Sequence, residues 1–404
     1  MTTDLSQLGL LLLVSALVAM LTRRLRMPYT VGLALAGMGL HFLPIHVDMH
    51  LSKELIFNVF LPPLVFEAAL YIRWPELKRN LLVVAALATI GVLLAAAVTA
   101  IGMHAATSWS WGSAAVFGVL IAATDPVSVI ATFKEAGVHG RLRVLVEAES
   151  LLNDGTAAVT FTVALGVATA ASSDVTHIGV AVVQTIGGGV LCGGLVAAAL
   201  MLLAGRSTDH LVEITFTTLA AYGSFLLAEH FHLSGVLATL TAGLVAGNYG
   251  TVGSLSADGR TAVDSFWEYV AFVANSLIFL LIGSRVAQEH FGAMWLPALA
   301  AIAIVTLGRA VAIYPICALF ARSRSRVDIR HQHVLFWGGL RGALALALAL
   351  GLPPTFPHYD ELLAATLAVV AFSIFVQALT MTPVLRRLGQ LDAASATPQG
   401  ATPS

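Results

Sequence analysis

The chain has 404 residues, 58% of them hydrophobic and only 11% charged, against roughly 25% charged in an ordinary soluble domain. That composition excludes a water-soluble globular protein. The formal charge of −1 advertises no nucleic acid or other polyion as partner. Cys192 and Cys317 each lie within long apolar runs and read as core packing, not as a disulfide framework.

A helix needs about 20 mostly apolar residues to cross the hydrocarbon. Division at charged and turn-rich stretches predicts spans at 5–22, 28–43, 53–72, 80–103, 112–133, 143–171, 177–204, 211–230, 233–250, 262–286, 293–321, 331–352 and 361–387. The fold class is therefore an all-α polytopic membrane protein with thirteen transmembrane helices. The first apolar run has no Lys or Arg before it and Arg23, Arg24 and Arg26 after it, which reads as a retained span and not a cleaved signal.

The positive-inside rule tests the span count, because a wrong count scrambles the alternation of basic loops. With the N-terminus outside, Arg23, Arg24, Arg26, Arg73, Lys78, Arg79, Lys134, Arg141, Arg143, Arg206, Arg260, Arg322, Arg324, Arg326, Arg330, Arg386 and Arg387 fall inside. Lys53 and Arg285 fall outside, and Arg309 and Arg341 lie within spans 11 and 12. Residues 1–390 read as one transmembrane domain of the cell membrane, the bacterial inner membrane in a prokaryote. Residues 391–404 read as a short cytoplasmic tail, with no soluble regulatory or catalytic domain expected.

Span 5 contains Thr124-Asp125-Pro126 and span 12 contains Gly338-Gly339-Leu340-Arg341-Gly342. Proline removes a backbone donor and disfavours helix in its predecessor, so both spans are expected to break and cross. Seven spans separate them, an odd shift that reverses their direction. Two inverted six-helix repeats, spans 1–6 and 8–13 joined by span 7, satisfy this.

Ionisable residues at mid-membrane cost several kcal/mol and point to function. Span 6 carries Glu149, Ser150, Asn153 and Asp154; residues four apart share a helix face, so one turn offers four oxygen-bearing side chains. Asp125 adds a second carboxylate, and the break frees carbonyls such as that of Thr124. Such oxygens suit a hard cation, although Ser150 and Asn153 also read as interhelical hydrogen-bond donors and acceptors. Glu149 is expected to pair with Arg309 or Arg341, since an unpaired buried charge is prohibitive. Arg341 offsets either the C-terminal ends of broken helices or an acid.

Other features are plainer. Glu67 reads as lining an inner funnel or as a packing residue, Glu213 as a solvated residue on the funnel rim or a functional acid. Asn275 and Ser276 support the crossing or act as helix glue. His46 with His50, His230 with His232, and His331 with His333 sit at predicted membrane edges and read neither as metal ligands nor, for the most part, as pH sensors. Gly189-x-x-x-Gly193 reads as a close helix approach, and no strand precedes it to make a nucleotide fingerprint.

Six segments, FLPPLVFEAAL (60–70), ATDPVSV (123–129), ESLLNDG (149–155), FHLSGVLA (231–238), NSLIFLLIG (275–283) and GGLRGALAL (338–346), resemble the NhaP-type sodium/proton antiporters, relatives of the eukaryotic sodium/proton exchangers. The resemblance runs over most of the chain. It implies a homodimer with a dimer-forming part and a separate six-helix ion-carrying core that includes spans 5, 6, 12 and 13. It also implies that Asp154 is the ion-binding acid, with Asp125, Ser150 and the Thr124 carbonyl completing a Na+ shell, and that Glu149 acts through water or its arginine. Asn153 stands where electrogenic relatives carry a second aspartate, which implies electroneutral exchange of one cation for one proton.

The expectation is a secondary transporter, not an enzyme. Na+, or K+ or Li+, and H+ compete for Asp154 and cross by alternating access, in pH and sodium homeostasis. No cofactor is expected beyond the transported ions. A K+/H+ antiporter of the same fold is the alternative. A cation channel lacks a pore-loop repeat, and an intramembrane aspartyl protease built on Asp125 and Asp154 would have Asn153 where its glycine belongs.

Overall fold

The computed structural model describes residues 2–25, 27–42, 51–169, 175–249, 256–289 and 295–390, and no strand occurs among them. The helices in chain order are α1 (Thr2–Leu25), α2 (Tyr29–His41), α3 (Leu55–Leu70), α4 (Trp74–Ala106), α5 (Trp111–Leu120), α6 (Val127–Ala136), α7 (Arg141–Thr169) and α8 (Val175–Ala204). There follow α9 (His210–His230), α10 (Gly235–Tyr249), α11 (Ala257–Gln288), α12 (Trp295–Leu319), α13 (Ile329–Trp337), α14 (Ala343–Leu350) and α15 (Tyr359–Arg387). Arg26, His46, His50 and the 391–404 tail lie outside the described residues.

Each predicted span coincides with a helix or with two half-helices. The largest end difference is at α4, which begins at Trp74 instead of residue 80. Pro75 sits in its first turn, where the missing N–H costs nothing, and Lys78 and Arg79 are exposed so that their charges leave the apolar face. Side-chain oxygens begin other helices by accepting from their first free amides. Ser110 caps α5, Asp209 caps α9, Ser256 caps α11 and Asp328 caps α13. Among the described residues eight helices, α1, α4, α7, α8, α9, α11, α12 and α15, are long and apolar enough to cross a membrane.

The two predicted breaks are present and they meet. Residues 121–126 separate α5 from α6, residues 338–342 separate α13 from α14, and the Asp125 amide donates to the Leu340 carbonyl at 2.8 Å. Unwound backbone at this depth survives only where protein or a cavity satisfies it, and each break supplies the other with a partner.

The helices pack in two groups. In one, α2 lies along α11, α3 along α10, and α8 against α9 and α10; in the other, α4 lies along α12 and α5, α5 against α7, and α12 against α15. A smaller apolar cluster around Phe66, Met201 and Trp267 belongs wholly to the first group, while the main core runs through both. Hydrocarbon offers no hydrophobic drive between helices, so close packing of small residues holds them. A Cβ on Gly37 would strike the Leu280 carbonyl, and one on Gly283 would strike the Ala34 carbonyl, so α2 and α11 touch backbone to backbone at both points. Gly189 and Gly193 meet the Ser234 and Ala238 carbonyls in the same way, as their spacing indicated.

Gly283→Val should therefore force α2 and α11 apart at an overpacking cost of about 1–3 kcal/mol, read as a lower midpoint of thermal unfolding in detergent. Gly39→Val, on α2 but facing open space, should leave the midpoint unchanged; equal behaviour of the two variants would refute the close contact.

Candidate functional site

The α5–α6 break, the α13–α14 break and the middle of α7 converge on one polar cluster. With Arg309 reaching in from α12, it contains the proposed ion-site and ion-pair residues Thr124, Asp125, Glu149, Ser150, Asn153, Asp154, Arg309 and Arg341. Thr124, Glu149, Ser150, Asn153, Asp154, Arg309 and Arg341 are buried, and Asp125 is half-buried.

The two arginines, equivalent in the sequence, divide the work. Arg309 on α12 pairs with Glu149 through two parallel bonds, Nη1 to Oε1 at 2.7 Å and Nη2 to Oε2 at 3.0 Å, and Nη2 also donates to the Leu335 carbonyl at 2.9 Å. This fork geometry is what the guanidinium does best with a carboxylate. Arg341 instead donates from Nη1 to the Ala122 and Ala123 carbonyls at 2.5 and 3.0 Å. It offsets the carbonyl end of α5, the first of its two expected roles. Leu335 lies in the last turn of α13, so each arginine occupies the negative end of one half-helix.

Asp125 serves the opposite ends. Its Oδ1 accepts from the Val127 amide at 2.9 Å at the start of α6, and a Cβ on Gly342, just before α14, would strike its Oδ2. The carboxylate thus sits at two helix N-termini, where partial positive charge favours it. Gly339 is required for a similar reason, since a Cβ there would strike the Arg309 guanidinium.

Asn153 and Ser150 form a short relay. Asn153 Nδ2 donates to Thr124 Oγ1 at 3.2 Å and to Glu149 Oε1 at 3.3 Å, and Thr124 Oγ1 donates to Ser150 Oγ at 3.1 Å. These bonds tie α7 to the first break, as their hydrogen-bonding reading anticipated. Asp154 Oδ1 is buried and has no hydrogen-bond partner, as is true of Asn153 Oδ1 and Arg309 Nε beside it, a costly arrangement in a finished core; of the three atoms only that of Asp154 belongs to a carboxylate. Three carboxylates, Asp125, Glu149 and Asp154, face two guanidiniums, so the cluster carries one net negative charge when all five are ionised.

Asp154 and Asp125 line a cavity of about 280 Å3 that reaches Glu67, Tyr71, Arg143 and Glu147. Tyr71 and Arg143 stand at helix ends beside Arg73 and Arg141, so the cavity opens toward the face where the basic loops gather. Glu67 lines it, as read from the sequence. Glu213 does not: it is fully buried and accepts from the Ser256 amide at 2.8 Å and hydroxyl at 3.1 Å. Its reading as a solvated rim residue is thereby corrected; it fastens the start of α11 to α9. Ser276 meets the Tyr29 hydroxyl at 2.7 Å and ties α11 to α2, while Asn275 and Tyr29 line the cavity.

Sequence reasoning missed the Arg143–Glu147 pair on the cavity wall, at 2.8 Å, although its four-residue spacing was a visible signal. It also missed Ser373, which accepts from the Arg341 amide at 3.1 Å and donates to Gln377 at 2.8 Å within a wider π-helical turn of α15. Two polar residues four apart in an apolar span were the available clue. Tyr29 had none, because Ser276 is distant in sequence.

Arg309→Ala or Glu149→Ala strands a buried charge and should lower stability by about 3–5 kcal/mol. The double variant Glu149→Leu with Arg309→Met should recover a large part of that loss in detergent thermal unfolding. Additive losses would show that the pair is not coupled.

Residues 10–387 match the family described as sodium/hydrogen exchanger, transmembrane. The chain is 39% identical to the Na(+)/H(+) antiporter ApNhaP of Aphanothece halophytica over 90% of this chain and 70% of that one. It is 33% identical to the Na(+)/H(+) antiporter NhaH of Halobacillus aidingensis over 95% and 97%. The solved structure of the sodium proton antiporter MjNhaP1 of Methanocaldococcus jannaschii shares the fold, with a TM-score of 0.76 at 21% identity over 96% of this chain and 99% of that one. A multi-pass helical protein with charged residues buried around two broken helices, this chain belongs to the sodium/hydrogen exchanger family.

Proposed function

We propose that this protein exchanges Na+ for H+ across the cell membrane, one for one, with both ions competing for Asp154. The observation that carries the reading is the buried Asp154 oxygen with no partner of its own, on the wall of a cavity that opens at one face. Protonated Asp154 is neutral and ligates poorly. Ionised Asp154 supplies the one uncompensated charge, and either ion restores neutrality, so the two loaded states carry equal charge. Asp125, Ser150 and the Thr124 carbonyl complete the Na+ shell, Asn153 holds Thr124 toward Glu149, and the Glu149–Arg309 pair keeps the surroundings neutral.

Supporting the inverted repeat, contacts recur after a shift of seven spans. The packing of α2 on α11 becomes that of α10 on α3, and that of α4 on α5 becomes that of α12 on α13. We place the two broken spans as crossing helices in a thirteen-span topology, N-terminus outside and C-terminus cytoplasmic. The group built on α4, α5, α7, α12 and α15 forms the moving core, and the chain assembles as a homodimer. The cavity then opens to the cytoplasm, and exchange proceeds by alternating access.

The test is transport in liposomes holding a pH dye, with Na+, K+ or Li+ added outside. Na+ should drive protons across the wild-type membrane with no potential formed, and Asp154→Asn should abolish this. Competition also fixes the sign of the pH effect: as pH falls through the range in which Asp154 protonates, the apparent KM for Na+ should rise, with a slope approaching about tenfold per pH unit for one proton displaced. Response to K+ alone would change the cation; a KM independent of pH, or an active Asp154→Asn, would sink the shared site.

A further inference from the structure

A second cavity, of about 570 Å3, lies between α4 and α7 on one side and α8 and α10 on the other, along the seam between the two packing groups. Its walls are aliphatic apart from Thr241, Asn248 and the Trp74 ring, and the Thr241 hydroxyl and Asn248 amide are engaged. Thr241 donates to the Leu237 carbonyl; Asn248 donates to the Ile72 and Leu244 carbonyls and accepts from the Trp74 amide. A water needs two to four polar partners, and this slot offers few. It is a mostly apolar space within a membrane protein, with α7 along one wall.

The slot runs from Trp74 and Asn248 at the basic edge to Leu240, eight residues or about 12 Å along α10. Lys78 shares the α4 face of Trp74, Leu77 and Leu81, and Arg206 lies just past the end of α8; both are exposed. Glu76, beside this edge, is bonded to Arg73, and Asp209, three residues past Arg206, caps the start of α9. An exposed tryptophan at such a depth suits the headgroup level, and basic pockets between helices on this side recruit anionic headgroups. Leu151 lines both this slot and the ion cavity, three residues before Asp154.

We propose that the slot is a binding site for an anionic glycerophospholipid, one acyl chain between α4 and α10 and the phosphate at Lys78 and Arg206. The chain closes the seam beside Leu151, so that the ion cavity communicates with water at its mouth and not sideways with the membrane. The site does not depend on which cation is carried.

The test is native mass spectrometry of the full protein released from detergent, with phosphatidylglycerol, phosphatidylcholine or inorganic phosphate added. The expected result is retention of phosphatidylglycerol over phosphatidylcholine, and no thermal stabilisation by inorganic phosphate. Lys78→Gln, on the exposed edge, should cut the preference for the anionic lipid about fivefold, from about 1 kcal/mol per interfacial cation. Leu244→Trp and, separately, Thr241→Phe should fill the slot and lose the bound lipid of either headgroup while unfolding at or above the wild-type temperature. Equal retention of both lipids by the wild type, stabilisation by inorganic phosphate alone, or undiminished lipid in both filled variants would overturn the proposal.

Discussion

Hydrocarbon offers no water to a peptide group, so a helix can be interrupted in mid-membrane only where something else completes its ends. In this protein that requirement organises the centre of the molecule. Arg341 takes the carbonyl end of α5, Arg309 takes that of α13, and Asp125 takes the amide end of α6 beside the start of α14. The breaks also bond to each other through Asp125 and Leu340. Removal of any one of these side chains takes a partner from the helix end it serves.

The same groups set the charge of the site. Glu149 is absorbed by Arg309, whose second role at Leu335 fixes the guanidinium in place. Arg341 and Asp125 are spent on helix ends of matching polarity. What remains is Asp154, buried and with an oxygen unclaimed, at the end of the cavity. The proposed exchange needs little more than this, because a single unneutralised carboxylate in a low-dielectric site can accept a proton or a small cation but not both.

The proposed alternating access needs a seam, and the packing has one. Within each group helices meet through glycine and alanine at backbone distance, as between α2 and α11, and such contacts do not slide easily. Between the groups, α7 faces α8 and α10 across the apolar slot, with Leu151 as the partition to the ion cavity. A seam filled by a lipid chain would stay sealed while the two groups shift, since a chain adapts to shape as a packed side chain cannot.

Much of this was legible in the chain. Helix positions followed from apolar runs bounded by charge, because the bilayer imposes both length and composition. The breaks followed from Pro126 and the 338–342 glycines, because those residues alter the backbone itself. The cluster of Glu149, Ser150, Asn153 and Asp154 followed from helical spacing. Which arginine meets Glu149 was not legible, because Arg309 and Arg341 sit at similar depths and only the tertiary placement of α12, from which Arg309 reaches Glu149 on α7, selects between them. Nor was the burial of Glu213, which depends on Ser256 arriving from another helix, or the Tyr29–Ser276 bond. Sequence determined which segments are helical, where they break and which carry charge, since these are local consequences of composition; tertiary packing alone decided how those charges pair and what they leave open, since pairing depends on distances between residues far apart in the chain.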